Sequence, residues 1–260
     1  MTGPITSAAT QQRVTSAIAD ASARTGVAFD YLMDQAQLES GMRPDARAQT
    51  SSATGLYQFT KQTWLATLKQ HGPAHGLDWA SGAITQNQSG AFAVADPAMR
   101  NQILELRTHP ETAAVMAAEL ASDNNDYLKS RIGGSPQDVD LYLAHFLGAK
   151  GAGDFLNAMQ SDPNQEAAIL FPSAAAANRS IFYRPDGAPR SLNEIRNGFA
   201  AKLAAAPANP NTKAFNTQQR FATTSLRHAP MAMADMEQMP KGLDLDFARK
   251  AYQRLSGLTA

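Results

Sequence analysis

The chain contains no cysteine in 260 residues. That excludes disulfides, thiol nucleophiles and thiolate-held metals. It has no surplus of either charge, since 23 Lys and Arg balance 23 Asp and Glu. A neutral chain gives no electrostatic reason to expect nucleic acid or an anionic membrane as partner. No apolar run approaches the roughly 20 residues of a membrane span. Strict apolar–polar alternation, the mark of half-buried strands, is scarce. The five histidines fall in no metal-ligand spacing. His71 and His75 in "HGPAH" are four apart, but Gly72 and Pro73 between them oppose a regular helix. No metal and no other cofactor is expected. The opening "MTGPITSAATQQRV" has neither the basic nor the apolar region of an export leader.

What remains is mostly helical pattern. Ile5, Val14 and Ile18 give a first helix its apolar edge, and Gly26 ends it. A second begins near Ala28 and turns Phe29, Leu32, Met33 and Ala36 inward, with Gln37 and Leu38 beside them. Gly41 and Pro44 stop it near Ser40. Thr60 or Thr63 caps a helix carrying Trp64, Leu65 and Leu68, and residues 71–97 are less regular. Asp96 and Pro97 open another helix, as does Pro110. In "GGSPQDVDLYLAHFLG" Ser135 reads as the cap, Pro136 as the first residue and Gly148 as the end. "RSIFYRPDG" reads as a short extended piece closed by a turn. The fold class is therefore mainly α.

A boundary is expected near residue 200. Residues 1–200 carry 15 Lys and Arg against 19 Asp and Glu, and residues 201–260 carry 8 against 4. A mildly acidic body thus meets a mildly basic tail. The tail holds the Ala-, Pro- and Asn-rich "AAAPANPNTKAFNTQQ" and then the amphipathic "DLDFARKAYQRL". It reads as a linker followed by a short helix.

Glu39 is the first chemical candidate. It closes a helix, where the macrodipole disfavours a negative charge by about 0.3–1 kcal/mol. An apolar setting acts in the same direction, and a carboxyl kept protonated is a general acid. An ordinary solvated Glu is the plainer reading. His145, three residues before Gly148, is by itself a packed histidine. The Gly residues of "GAKGAGDFL" make a helix–helix turn rather than a phosphate loop.

Two stretches, taken together, resemble a known family. Glu39-Ser40, then Pro44, a hydroxyl-rich loop and "GLYQ" at residues 55–58 are similar to the signature of soluble-type lytic transglycosylases. That family has the goose-type lysozyme-like fold of glycoside hydrolase family 23. "AHFLGAKGA", at residues 144–152, resembles its second motif, an Ala-Tyr-Asn beside a Gly-rich turn. The flavour is similar to an alphaproteobacterial subgroup linked in part to flagellar assembly. There are departures. Tyr57 stands where the family keeps Met, and His145 and Phe146 stand where it keeps Tyr and Asn. The loop is one residue longer, so Ala48, Gln49, Thr50 and Ser51 compete for the place of the family's Ser.

The resemblance implies a lysozyme-like helical catalytic domain over residues 1–200. It implies cleavage of the β-1,4 bond between N-acetylmuramic acid and N-acetylglucosamine in peptidoglycan glycan strands, leaving 1,6-anhydro ends. Glu39 would serve as acid and then base. Thr50, Ser51 and Gln58 would hold the sugar, and Tyr57 and His145 would line the groove. It implies work in the periplasm, with a leader removed or another export route. Two alternatives stand beside it. One is a hydrolytic muramidase that draws on Asp45, Asp78 or Asp96 to activate water. The other is an assembly protein docking on a flagellar or secretion-machine partner through residues 201–260.

Overall fold

A computed structural model describes residues 7–49 and 51–205. Among these the chain forms α1 (Ala8–Thr25), α2 (Phe29–Ser40), α3 (Lys61–His71), α4 (Asp78–Ala83), strands β1 (Ile84–Gln86) and β2 (Phe92–Val94), and α5 (Pro97–Glu105). There follow α6 (Pro110–Ile132), α7 (Asp138–Ser161), the short α8 (Ala167–Leu170), α9 (Pro172–Ala177) and α10 (Arg179–Phe182), and finally α11 (Leu192–Ala204). The mainly helical expectation holds. Ile5, Thr50 and the amphipathic "DLDFARKAYQRL" lie outside the described residues, as does all of the tail beyond Ala205.

The packing follows from residue size. One run of α6 buries Ala113, Ala114, Val115, Met116, Ala117 and Ala118. Small side chains let backbones approach closely, and α1, α3 and α7 all pack against this helix. Trp64 of α3 is fully buried and its indole N–H donates to the Ile103 carbonyl at 2.9 Å. That bond satisfies the one polar atom of a large apolar side chain. Helix α2 is buried almost all round, so it is a central helix rather than a surface one.

Several boundaries match their local signals. Thr60 caps α3 and Asp96 caps α5, each by accepting a backbone N–H. Gly41, at φ 60°, ends α2. Gly148 breaks α7 with φ 77° and ψ 159°, a region essentially closed to other residues.

Other boundaries differ. The cap of α7 is Gln137, not Ser135. The Asp140 carboxylate accepts the Gln137 N–H at 2.9 Å, and this reciprocal cap holds the start two residues later. Arg196 of α11 then pairs with the same carboxylate at 2.8 Å. Residues 179–182 are a helical turn, and only Tyr183 onward is extended. The β1–β2 hairpin, pairing Ile84 with Val94 antiparallel, was not foreseen. Three-residue strands are too short to carry a period. Helix α11 also runs past residue 200, with Leu203 buried, so the body extends beyond the expected boundary.

The "HGPAH" pair has a structural use. His71 Nε2 lies 2.8 Å from Asp123 and its Nδ1 lies 3.4 Å from Glu119. His75 Nε2 bonds Glu119 at 2.6 Å. Among the described residues no cluster suits a metal. Burial pulls the His71 pKa down, but the Asp123 hydrogen bond and the charges of Asp123 and Glu119 raise it above 6.5 overall. With the folded value above the unfolded one, the stabilisation is complete below the unfolded value and lost as pH rises through the folded value. Replacing His71 by Gln should therefore cost more stability at about pH 5.5 than at about pH 8.5. Denaturant melts of both proteins at each pH measure this. A cost that does not vary with pH would contradict it.

Candidate active site

The site is built on one face of α2. Tyr31, Gln35 and Glu39 are spaced by four, so they stack along the helix. All three are buried, and Glu39 is only 2% exposed. The broken helix α7 presents Tyr142 and His145 to this face. Gln35 Nε2 lies 3.2 Å from His145 Nδ1, and His145 Nε2 lies 3.4 Å from Glu39 Oε1. The Gln35 amide nitrogen can donate to Nδ1, and the other ring nitrogen of His145 faces the Glu39 carboxyl. Glu39 thus lies at the C-terminal end of a helix, largely out of water, with a histidine ring nitrogen 3.4 Å away.

Two phenols, Tyr31 and Tyr142, lie near Glu39, and a third, Tyr57, lies near Tyr31. Burial first, then the charges of Asp138 and Glu39, hold the Tyr31 hydroxyl far above its ordinary pKa. Burial, Glu39 and Tyr31 do the same for Tyr142. Burial and Tyr31 do the same for Tyr57. All three remain neutral hydroxyls, fit for hydrogen bonding and unfit as bases. The Tyr57 hydroxyl and the Gln35 carbonyl are buried and have no hydrogen-bond partner among the described residues.

The loop after α2 is fastened by its own backbone and by one distant arginine. Gly55 donates to the Ala46 carbonyl at 2.7 Å, and Thr54 bridges to both Arg47 and Phe59. Arg107, in the turn after α5, is 5% exposed. Its Nη1 donates to the Ser52 carbonyl at 2.7 Å and the Phe59 carbonyl at 3.1 Å. Burial, with the charge of Arg47, pulls its pKa down to about 10, so it stays a cation at neutral pH. A buried cation held by carbonyl oxygens acts as a clamp on residues 52–59.

Of the residues expected to act, Glu39 and His145 are brought together. Ser51 is half-buried and its hydroxyl accepts the Ala53 N–H at 3.3 Å. Gln58 differs from its expected sugar-holding role. It is buried at φ 48°, and its amide nitrogen donates to the carbonyls of Ala46 at 3.1 Å and Gly55 at 2.8 Å. The bent backbone turns this amide into the loop, where it acts as a staple. Tyr57, expected to line the groove, is 1% exposed, about as buried as Glu39.

Asp45, Asp78 and Asp96 are exposed, and Asp96 is occupied as a cap. Asp34 is pushed up to about 6 by burial and by the charges of Asp30 and Asp138. It lies five residues before Glu39, about 140° round the helix, and so faces another way.

Two contributors escaped the sequence reading. Gln35 carries a local signal, since it lies one turn before Glu39 on the same face, whereas Gln37 was expected inward and is half-exposed. Arg107 carries none, because its partners are about fifty residues away in the chain. No family model matches the chain, and no described helix is long and apolar enough to cross a membrane.

Proposed function

We propose that the chain is a peptidoglycan lytic transglycosylase with a lysozyme-like catalytic domain. The observation that carries this reading is the pairing of a nearly inaccessible Glu39, at the end of a central helix, with the His145 imidazole 3.4 Å away. The two residues come from the two stretches that resemble that family's motifs, and the fold unites them.

In the proposed reaction Glu39 donates its proton to the glycosidic oxygen as the C1–O bond breaks. The muramyl C6 hydroxyl then attacks C1 and yields its proton to the Glu39 carboxylate. The acid is regenerated, the product ends in a 1,6-anhydro ring, and no water is consumed. Hydrolases of this chemistry use two carboxyls across the bond. Here Asp45, Asp78 and Asp96 are exposed, and Asp34 is turned away, which favours the single-acid route. His145 Nε2–H would hold the carboxylate between its two proton transfers. The neutral phenols of Tyr31 and Tyr142 would lower the local polarity without competing for the proton. Such a substrate places the work in the periplasm.

Incubation with purified sacculi tests the reading. The proposal expects soluble muropeptides whose muramyl ends are lighter by one water than reducing ends. Intact sacculi after prolonged incubation would remove the enzymatic reading.

A further inference from the structure

Between α10 and α11 the chain doubles back. Tyr183 bridges to Pro189, and Arg184 and Gly187 close the turn with backbone bonds of 2.8 and 2.9 Å. The turn and α10 enclose a cleft of about 280 Å³, lined chiefly by Arg179, Ser180, Tyr183, Arg184 and Arg190, with no acidic residue in its wall.

The three arginines differ in how far they are neutralised. Arg184 is paired with Glu194, which also completes the cap of α11. Arg190 uses one nitrogen, Nη1, on the carbonyls of Ser180 at 2.6 Å and Ile181 at 3.2 Å. That fixes its guanidinium and leaves its charge without an acidic partner among the described residues. Arg179 stacks over the Tyr183 ring at 4.8 Å and likewise has no acidic partner among them. Lys202 is pushed down to about 8, chiefly by burial and in smaller part by the Arg190 charge. A solvated surface would leave arginine side chains splayed. Here one is pinned by carbonyls and one by a ring, and both border the same concavity. Planar guanidinium forks held in place are suited to binding carboxylates in two-point fashion.

Aromatic packing ties the segment that bears the cleft to α7. Phe182, one residue before Tyr183, places its ring 6.4 Å from that of Phe146, the neighbour of His145. The volume is below that of most drug-sized pockets, which suits a charged fragment rather than a sugar chain.

We propose that this cleft binds a carboxylate, and, resting on the peptidoglycan reading above, that the carboxylate is that of the acidic peptide stem attached to the muramyl residue. Arg179 is the variant of choice, because it is exposed and its loss leaves the backbone bonds of the turn in place.

Two measurements on the full chain test it. Calorimetric titration uses a free stem peptide with open carboxyls and the same peptide with its carboxyls amidated. The open peptide should bind wild type, and Arg179→Gln should weaken it by about tenfold, or roughly 1.4 kcal/mol. The amidated peptide should bind neither protein measurably. Equal binding of both peptides, or no effect of Arg179→Gln, overturns the proposal. In the second measurement Arg179→Gln should raise KM on stem-bearing glycan by about tenfold with kcat unchanged, and alter nothing on glycan stripped of its stems. Carboxylate binding without any glycan cleavage would uphold the cleft and remove the lytic reading. Cleavage without carboxylate binding would do the reverse.

Discussion

Glu39→Gln is expected to slow release of soluble glycan by about a thousandfold while leaving the melting temperature unchanged or higher. Gln keeps the volume and leaves an amide facing the His145 ring nitrogen, 3.4 Å from the present carboxyl. It removes only the acidic proton of a side chain that sits 2% exposed at the C-terminal end of a helix. The two readouts should therefore part company, with activity lost and stability kept. Turbidity loss of sacculi measures the first and a thermal melt the second. Retained activity would end the assignment of Glu39. A collapse in melting temperature would show that the carboxyl serves the fold.

Gly55→Ala is expected to cost about 4 kcal/mol and to abolish cleavage, against about 1 kcal/mol for Gly133→Ala. Both glycines have positive φ, 86° and 69°. A Cβ at Gly55 would stand 1.8 Å from the Arg107 carbonyl oxygen, whereas at Gly133 nothing lies within 4 Å. The difference between the two losses isolates the close approach from the cost of the backbone angle. Moving that carbonyl also disturbs Arg107, whose guanidinium holds Ser52 and Phe59. The loop would then lose its clamp. Urea melts of the two variants supply the comparison, and losses of equal size would contradict the role given to Arg107.

Where the sequence spoke locally it was readable. Thr60, Asp96 and Gly148 announced their boundaries because caps and helix breaks depend on one residue and its next few neighbours. The place of Glu39 at a helix end was legible from Gly41, which ends α2 at Ser40. Contacts made across the chain were silent. Arg107 looks like any surface arginine until the fold brings Ser52 and Phe59 onto it. Gln58 was misread because its direction depends on a positive φ that no residue type at that position would suggest. The cap of α7 was misplaced for a related reason. Ser135 and Pro136 fit the general pattern, but Asp140 binds back to the Gln137 N–H and sets the start there. His145 was drawn to Glu39 only by a motif, and its bond to Gln35 needed the apposition of α2 and α7.

In the proposed reaction one buried acid cleaves the glycan without water. Digestion of sacculi in water enriched in heavy oxygen tests it most directly. The expected products are muropeptides that carry no heavy oxygen at the muramyl C1 and appear with wild type but not with Glu39→Gln. Heavy oxygen incorporated at C1 during cleavage, or no muropeptides at all from wild type, would contradict it.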